Sequence, residues 1–215
     1  MPRTRDRLVR TLVQTYGRTY AEEAGIRLED KPGPLFQLVV LTMLLSKPIS
    51  ADLAVAAARE LFAAGYRTPQ SMVDASWQDR VDALGRGHYR RYDESTSTLL
   101  AKAARHCLDR WRGDLRRMRA EAGGDRPRLQ AFLVEFPGIG PTGADIFIRE
   151  VQAIWPEYRP SIDAKVEAGA RALHLSPTSI TELARPEDLP RLTSALVRVG
   201  RARRLPADLQ AEIAR

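Results

Sequence analysis

Between residues 34 and 45 the chain is apolar nearly all round: Phe36, Leu38, Val39, Val40, Leu41, Met43, Leu44 and Leu45. A helix without a polar face cannot lie on a surface, so this segment must run through the middle of a domain with other helices covering it. The rest of the sequence supplies them. Leu8, Val9, Leu12, Val13 and Tyr16 recur at the helical period. Residues 51–64 follow Ser50 as N-cap and stop at Gly65. Thr68-Pro69 and Ser76-Trp77-Gln78-Asp79 open two short helices, and Gly85-Arg86-Gly87 ends the second. A long helix covers residues 93–111, and the chain then turns polar and loose through Ala122-Gly123-Gly124-Asp125. Leu129, Phe132, Leu133 and Phe136 share a face that breaks at Pro137-Gly138-Ile139-Gly140. The next helix runs to Trp155-Pro156, because a residue before proline resists the helical region. Residues 164–173, 187–199 and 207–213 complete the set. No alternating strand pattern persists and no fixed repeat occurs, so the expected fold class is all-α.

Composition narrows the chemistry. At 215 residues the chain makes one or two domains, and 44% hydrophobic with 28% charged residues is an ordinary globular balance. The formal charge is +7, and thirty of the 34 basic residues are arginines, the lysines being Lys31, Lys47, Lys102 and Lys165. Both a GC-rich genome and selection for phosphate contact account for that bias. Cys107 stands alone, which excludes an internal disulfide, a four-thiolate zinc site and a four-cysteine iron–sulfur cluster. His88, His106 and His174 lie far apart, so no protein-only metal site is expected. The start, Met1-Pro2-Arg3-Thr4-Arg5, lacks the apolar run of a signal peptide. The expectation is a soluble, cytoplasmic monomer without a membrane partner, nucleoid-associated in a bacterium.

The most informative string is Phe136-Pro137-Gly138-Ile139-Gly140-Pro141-Thr142-Gly143-Ala144-Asp145. Two glycines around one apolar residue permit a backbone reversal that side chains resist. Ile139 can plug this hairpin between its flanking helices. The N–H groups after the turn have no helical partner and sit at the positive end of the next helix dipole, which suits a DNA phosphate. Gly143 and Ala144 are small enough to let two helices cross closely. Without context, Pro-Gly-x-Gly is equally a plain turn, and Asp163 before a helical run is equally an N-cap.

With Ser161-Ile162-Asp163-Ala164-Lys165-Val166 placed downstream of that hairpin, the sequence resembles the helix–hairpin–helix DNA glycosylase superfamily, in particular its endonuclease III-like branch. Leu44-Leu45-Ser46 looks like the end of the family's buried second helix and Gly87-His88-Tyr89 like its DNA-wedging loop, so the resemblance spans residues 30–205. It implies two helical lobes with a DNA cleft between them. Residues 34–155 would form one lobe, and residues 1–33 with 156–215 the other, carrying Asp163 at the junction. It implies DNA contacts from Gly138, Ile139, Gly140, Gly143, Lys47, Tyr89, Arg90 and Arg201, and catalytic roles for Asp163 and Thr142. The implied partner is double-stranded DNA with a damaged base. A monovalent cation at the hairpin is the one inorganic partner in keeping with the resemblance.

Where strand-cleaving members carry a lysine after the hairpin, this chain has Thr142. Lys31 and Lys102 lie in segments remote from the motif, Lys47 sits beside the DNA-facing turn after the buried helix, and Lys165 would point well round from Asp163 on a helix; none takes the lysine's column. The implied activity is therefore a monofunctional, Asp-assisted DNA glycosylase in base-excision repair. Two alternatives stay open: a bifunctional glycosylase and abasic-site lyase, and a non-catalytic DNA-binding protein. The branch's cysteine-bound cluster is replaced near the C-terminus by a run containing Arg198, Arg201, Arg203 and Arg204, which offers phosphate contacts or a plain solvated surface. The glutamine that fills the flipped-base gap is Pro48, leaving Lys47, Ile49, Tyr89, Arg90 or Tyr92 for that task. The glutamate of the adenine-removing branch is Met43, which disfavours removal of adenine opposite oxidised guanine; cluster-free members that lack the lysine include glycosylases acting on alkylated bases, so the resemblance implies an alkylated purine.

Overall fold

The computed structural model describes residues 2–202 and 204–213, and every regular element among them is helical. In chain order these are α1 (Pro2–Thr11), a π-helical turn (Leu12–Tyr16), α2 (Tyr20–Glu23), α3 (Pro32–Leu45), α4 (Ala51–Ala63) and α5 (Pro69–Asp74). Then come α6 (Trp77–Arg86), α7 (Asp93–Trp111), α8 (Arg116–Ala122), α9 (Arg126–Val134) and α10 (Pro141–Val151). A 3-10 turn (Pro156–Tyr158) precedes α11 (Ala164–Ala172), α12 (Pro177–Leu183), α13 (Leu189–Arg201) and α14 (Ala207–Ile213). The chain divides into two compact units, Ala21–Ile154 and the pair of segments Met1–Tyr20 and Trp155–Arg215.

The N-terminal boundary thus falls after Tyr20 rather than after residue 33. Local ties explain the difference. The Ala21 N–H donates to Glu150 at 2.9 Å, Arg59 donates to the Glu23 carbonyl at 2.7 Å, and Arg119 pairs with Asp30 at 2.7 Å.

In the unit Ala21–Ile154, α3 is the axis the sequence demanded. Leu35, Phe36 and every residue from Leu38 to Leu45 are buried, with α4, α7 and α10 packed around them. The starts of the neighbouring helices follow their cap residues. Ser50 accepts from the Leu53 N–H at 3.2 Å, and Thr68 and Ser76 each complete a capping box. The end of α6 presses on the small face of α4, where a Cβ on Gly87 would stand 2.5 Å from the Ala57 Cα. Two features depart from the sequence reading. The polar stretch after α7 contains a helix, α8, which buries only Met118 and Ala122. Helix α10 stops at Val151, short of Trp155-Pro156.

Arg80 joins three helices from the inside. Its Nε donates to the Ser97 carbonyl at 3.1 Å, and its Nη1 donates to the carbonyls of Met72 (3.0 Å) and Ala75 (2.6 Å). Replacing it with leucine strands these acceptors in a dry setting. Arg80→Leu is therefore expected to lower unfolding stability by about 2–4 kcal/mol, read by urea denaturation. A loss below about 0.5 kcal/mol would show that water reaches those carbonyls.

In the other unit, α11 and α13 cross at backbone distance. A Cβ on Gly169 would stand 1.9 Å from the Leu196 carbonyl oxygen, and one on Gly200 would stand 2.9 Å from the Gly169 nitrogen. Val166, Ala170, Leu192 and Leu196 form the core there, with Leu8 and Leu12 from the N-terminal segment. Helix α14 is clasped to that segment by buried Leu209, by Arg7–Glu212 at 2.9 Å, and by the Tyr16 hydroxyl donating to Asp208 at 2.8 Å. Helix α12, like α2 and α8, has no counterpart in the sequence reading.

Candidate nucleic-acid interface

The glycine-flanked hairpin joins α9 to α10. Asp125 caps the start of α9 through the Arg128 N–H (3.0 Å), and α9 delivers buried Phe136 to the turn. Gly138 takes φ +94°, a left-handed conformation that a side chain would strain. The Ile139 N–H closes the reversal onto the Phe136 carbonyl at 3.0 Å, and the Ile139 side chain is buried. Gly140 is extended, Pro141 opens α10, and the first helical bond runs from the Ala144 N–H to the Gly140 carbonyl at 2.9 Å. The N–H groups of Thr142 and Gly143 precede that bond and lie at the positive end of the α10 dipole. The Thr142 residue itself is exposed.

The turn is seated on α3 and α7. A Cβ on Gly138 would lie 3.1 Å from the Met43 Cε and 3.5 Å from the Leu99 Cδ1. One on Gly143 would lie 2.7 Å from the Ser46 Oγ and 3.0 Å from the Ile139 Cγ2. Ser46 itself is held by the Thr42 carbonyl at 2.7 Å. The structure therefore assembles Gly138, Ile139, Gly140, Thr142 and Gly143 beside the turn that carries half-buried Lys47. Met43 serves as the cushion under Gly138.

The loop between α6 and α7 corrects one expectation. Tyr89 is 1% exposed, and its hydroxyl bonds the Thr96 hydroxyl at 3.1 Å. Burial raises its pKa. Its ring is core and has no free face for a base. His88 and Arg90 on either side are exposed, with His88 at φ +60°. The chain turns at left-handed His88, with the Tyr89 N–H closing onto the Leu84 carbonyl at 3.0 Å, which sends the tyrosine into the core and leaves His88 and Arg90 on the surface.

In the other unit, Asp163 is 8% exposed and is the N-cap of α11. Its Oδ1 accepts from the N–H groups of Lys165 (2.8 Å) and Val166 (3.0 Å). The carboxylate is thereby fixed by the backbone whose helix it starts. Arg198 is engaged within its own unit. It donates to the carbonyls of Tyr16 (3.0 Å) and Arg18, and its guanidinium lies 4.7 Å from the Tyr20 ring centroid. Arg201 and Arg204 are exposed, and Arg203 lies outside the described residues.

Cys107 is buried, and burial pushes its thiol up to about 12. Among the described residues no group of three or more His, Cys, Asp or Glu side chains could hold a metal ion, and no helix is long and apolar enough to cross a membrane.

No protein-family profile matches the sequence, and no curated protein matches it. A solved structure does: a trapped endonuclease III–DNA covalent intermediate, in an estranged-adenine complex, superposes with a TM-score of 0.50. The match covers 89% of this chain and 84% of that one at 15% identity. The chain has the endonuclease III-like fold. At so low an identity the backbone path is what the two share, and side-chain chemistry has to be read from this chain alone. Within the endonuclease III-like fold, Thr142 follows the hairpin and Asp163 opens α11.

Proposed function

We propose that the protein is a base-excision-repair DNA glycosylase that hydrolyses the N-glycosidic bond of a damaged base, with double-stranded DNA as its substrate. The observation that carries this is the hairpin: a buried Ile139, a left-handed Gly138 and two N–H groups ahead of the first α10 bond. Such a turn holds a phosphate oxygen without needing sequence contacts. The damaged nucleotide rotates out of the duplex, at a cost of a few kcal/mol that a lesion reduces. As the base departs with the bonding electron pair, positive charge develops at C1′. The Asp163 carboxylate stabilises that charge and orients the attacking water, taking up the water's proton as the new C–O bond forms, while a cationic alkylated base leaves as a neutral molecule. Thr142 contributes a hydroxyl for water or phosphate. Because the residue after the hairpin is a threonine, hydrolysis rather than amine capture is the proposed route. An alkylated purine is the proposed substrate, since a cationic base leaves readily and needs modest catalysis.

The test is a set of duplexes with alkylated, oxidised and deaminated bases, incubated with the purified protein and analysed with and without hot alkali. The expected result is strand cleavage that requires alkali, with no borohydride-trapped protein–DNA adduct. Cleavage without alkali and efficient trapping would establish a lysine nucleophile and a lyase.

A further inference from the structure

In sequence Lys102 is far from the hairpin, but α7 returns it there. Leu99 lies against the turn, 3.5 Å from where a Cβ of Gly138 would stand. His106 meets Phe136, at the entrance to the turn, edge-on with ring centroids 4.6 Å apart. Lys102 stands one helical turn beyond Leu99 and one before His106. The three residues fall within about 60° of arc, with Lys102 about 4.5 Å along the axis from Leu99. Two residues of one α7 stripe thus support the hairpin; between them along the axis stand buried Ala103 and, on the exposed edge of the stripe, Lys102.

Its surroundings are telling. Lys102 is exposed, and among the described residues it makes no hydrogen bond or ion pair. Lys31, Arg110 and Arg116 are paired, with Glu29 at 2.5 Å, Glu121 at 2.6 Å and Asp114 at 2.7 Å, whereas Lys102 shares its freedom with Arg90, Arg105 and Arg112, none of which falls within that arc of α7. Lys47 follows Ser46, whose Oγ lies 2.7 Å from where a Cβ of Gly143 would stand. In a chain where arginine dominates, two of the four lysines thus sit on segments that pack against one turn. A lysine acts on phosphate as a rotatable point charge and does not need the fixed fork of arginine.

The geometry points to Lys102 as a second backbone clamp, binding a DNA phosphate beside the one held at the hairpin N–H groups. This rests on the hairpin's role as a DNA contact. The experiment measures the affinity of a lesion duplex over a range of salt for the wild type, Lys102→Gln, Lys102→Arg, Lys47→Gln and Lys31→Gln. Each phosphate-bound lysine adds about 0.9 to the slope of log affinity against log salt. Lys102→Gln is expected to flatten the slope by that amount and to weaken binding about fivefold or more at low salt. Lys102→Arg restores the slope, and Lys31→Gln leaves it unchanged. If the wild type binds DNA and Lys102→Gln keeps both slope and affinity, the clamp is overturned while the hairpin's role stands. If the wild type does not bind DNA, the hairpin's role fails and the clamp fails with it.

Discussion

Asp163→Asn is expected to slow base release by about a hundred- to a thousand-fold, the usual effect of removing one charge-stabilising group from a reacting centre. DNA affinity should stay within a few-fold of wild type. The substitution is informative because Asn is as good an N-cap as Asp. The two bonds that Oδ1 accepts from Lys165 and Val166 survive in the amide, so α11 keeps its start. Asp163→Ala adds a second loss, about 1 kcal/mol of stability from the missing cap. The pair of variants separates chemistry from architecture. If Asp163 were only a cap, Asn would restore everything and Ala alone would do harm. Single-turnover base release together with thermal unfolding of both proteins makes the distinction. Full turnover in Asp163→Asn would remove this carboxylate from the reaction.

The largest effect on stability is expected at Gly169. Its missing Cβ would sit 1.9 Å from the Leu196 carbonyl oxygen, and that atom is backbone, which no rotamer change can move. Helices α11 and α13 would have to separate, opening the core around Val166, Ala170 and Leu192. Gly169→Ala should cost about 4 kcal/mol or more, enough to lower the melting temperature by about 8 °C or more in a chain of this size. Gly85 in α6 is the contrast, because nothing lies within 4 Å of its Cβ position and its φ is negative. Gly85→Ala should be neutral or stabilise by up to about 1 kcal/mol. A Gly169→Ala protein within about 1 kcal/mol of wild type would mean that α11 and α13 do not cross at backbone distance.

The parts of the structure that were legible in advance are those where local chemistry decides the outcome. Ser50, Thr68 and Ser76 start helices because their side chains satisfy N–H groups a few residues away, wherever the helix later packs. The all-apolar run around Leu41 had only one place to go. The hairpin was readable because Gly138 needs a left-handed conformation that the flanking periodicity forbids. Where distant packing decides, the sequence was silent or misleading. Helix α8 buries only Met118 and Ala122 among arginines, so no stripe announces it. Tyr89 offered an aromatic suited equally to a base stack and to a core, and a bond to Thr96 settles it as core. Arg198 resembled a phosphate ligand until the Tyr16 and Arg18 carbonyls claimed it. Lys102 is remote from the hairpin in sequence, yet Leu99 on the same helix lies against the turn. The deciding partner lies 7 residues from Tyr89 and 182 from Arg198, and helical periodicity carries no record of either.

The most direct test of the central claim is a time course of free base, followed by mass spectrometry, from a duplex containing one N-alkylated purine and excess protein. Stoichiometric release of the intact base, with the phosphodiester backbone unbroken, is the predicted result. A duplex that is bound in the same mixture and yet loses no base would contradict it, and would make this endonuclease III-like fold a DNA binder without glycosylase chemistry.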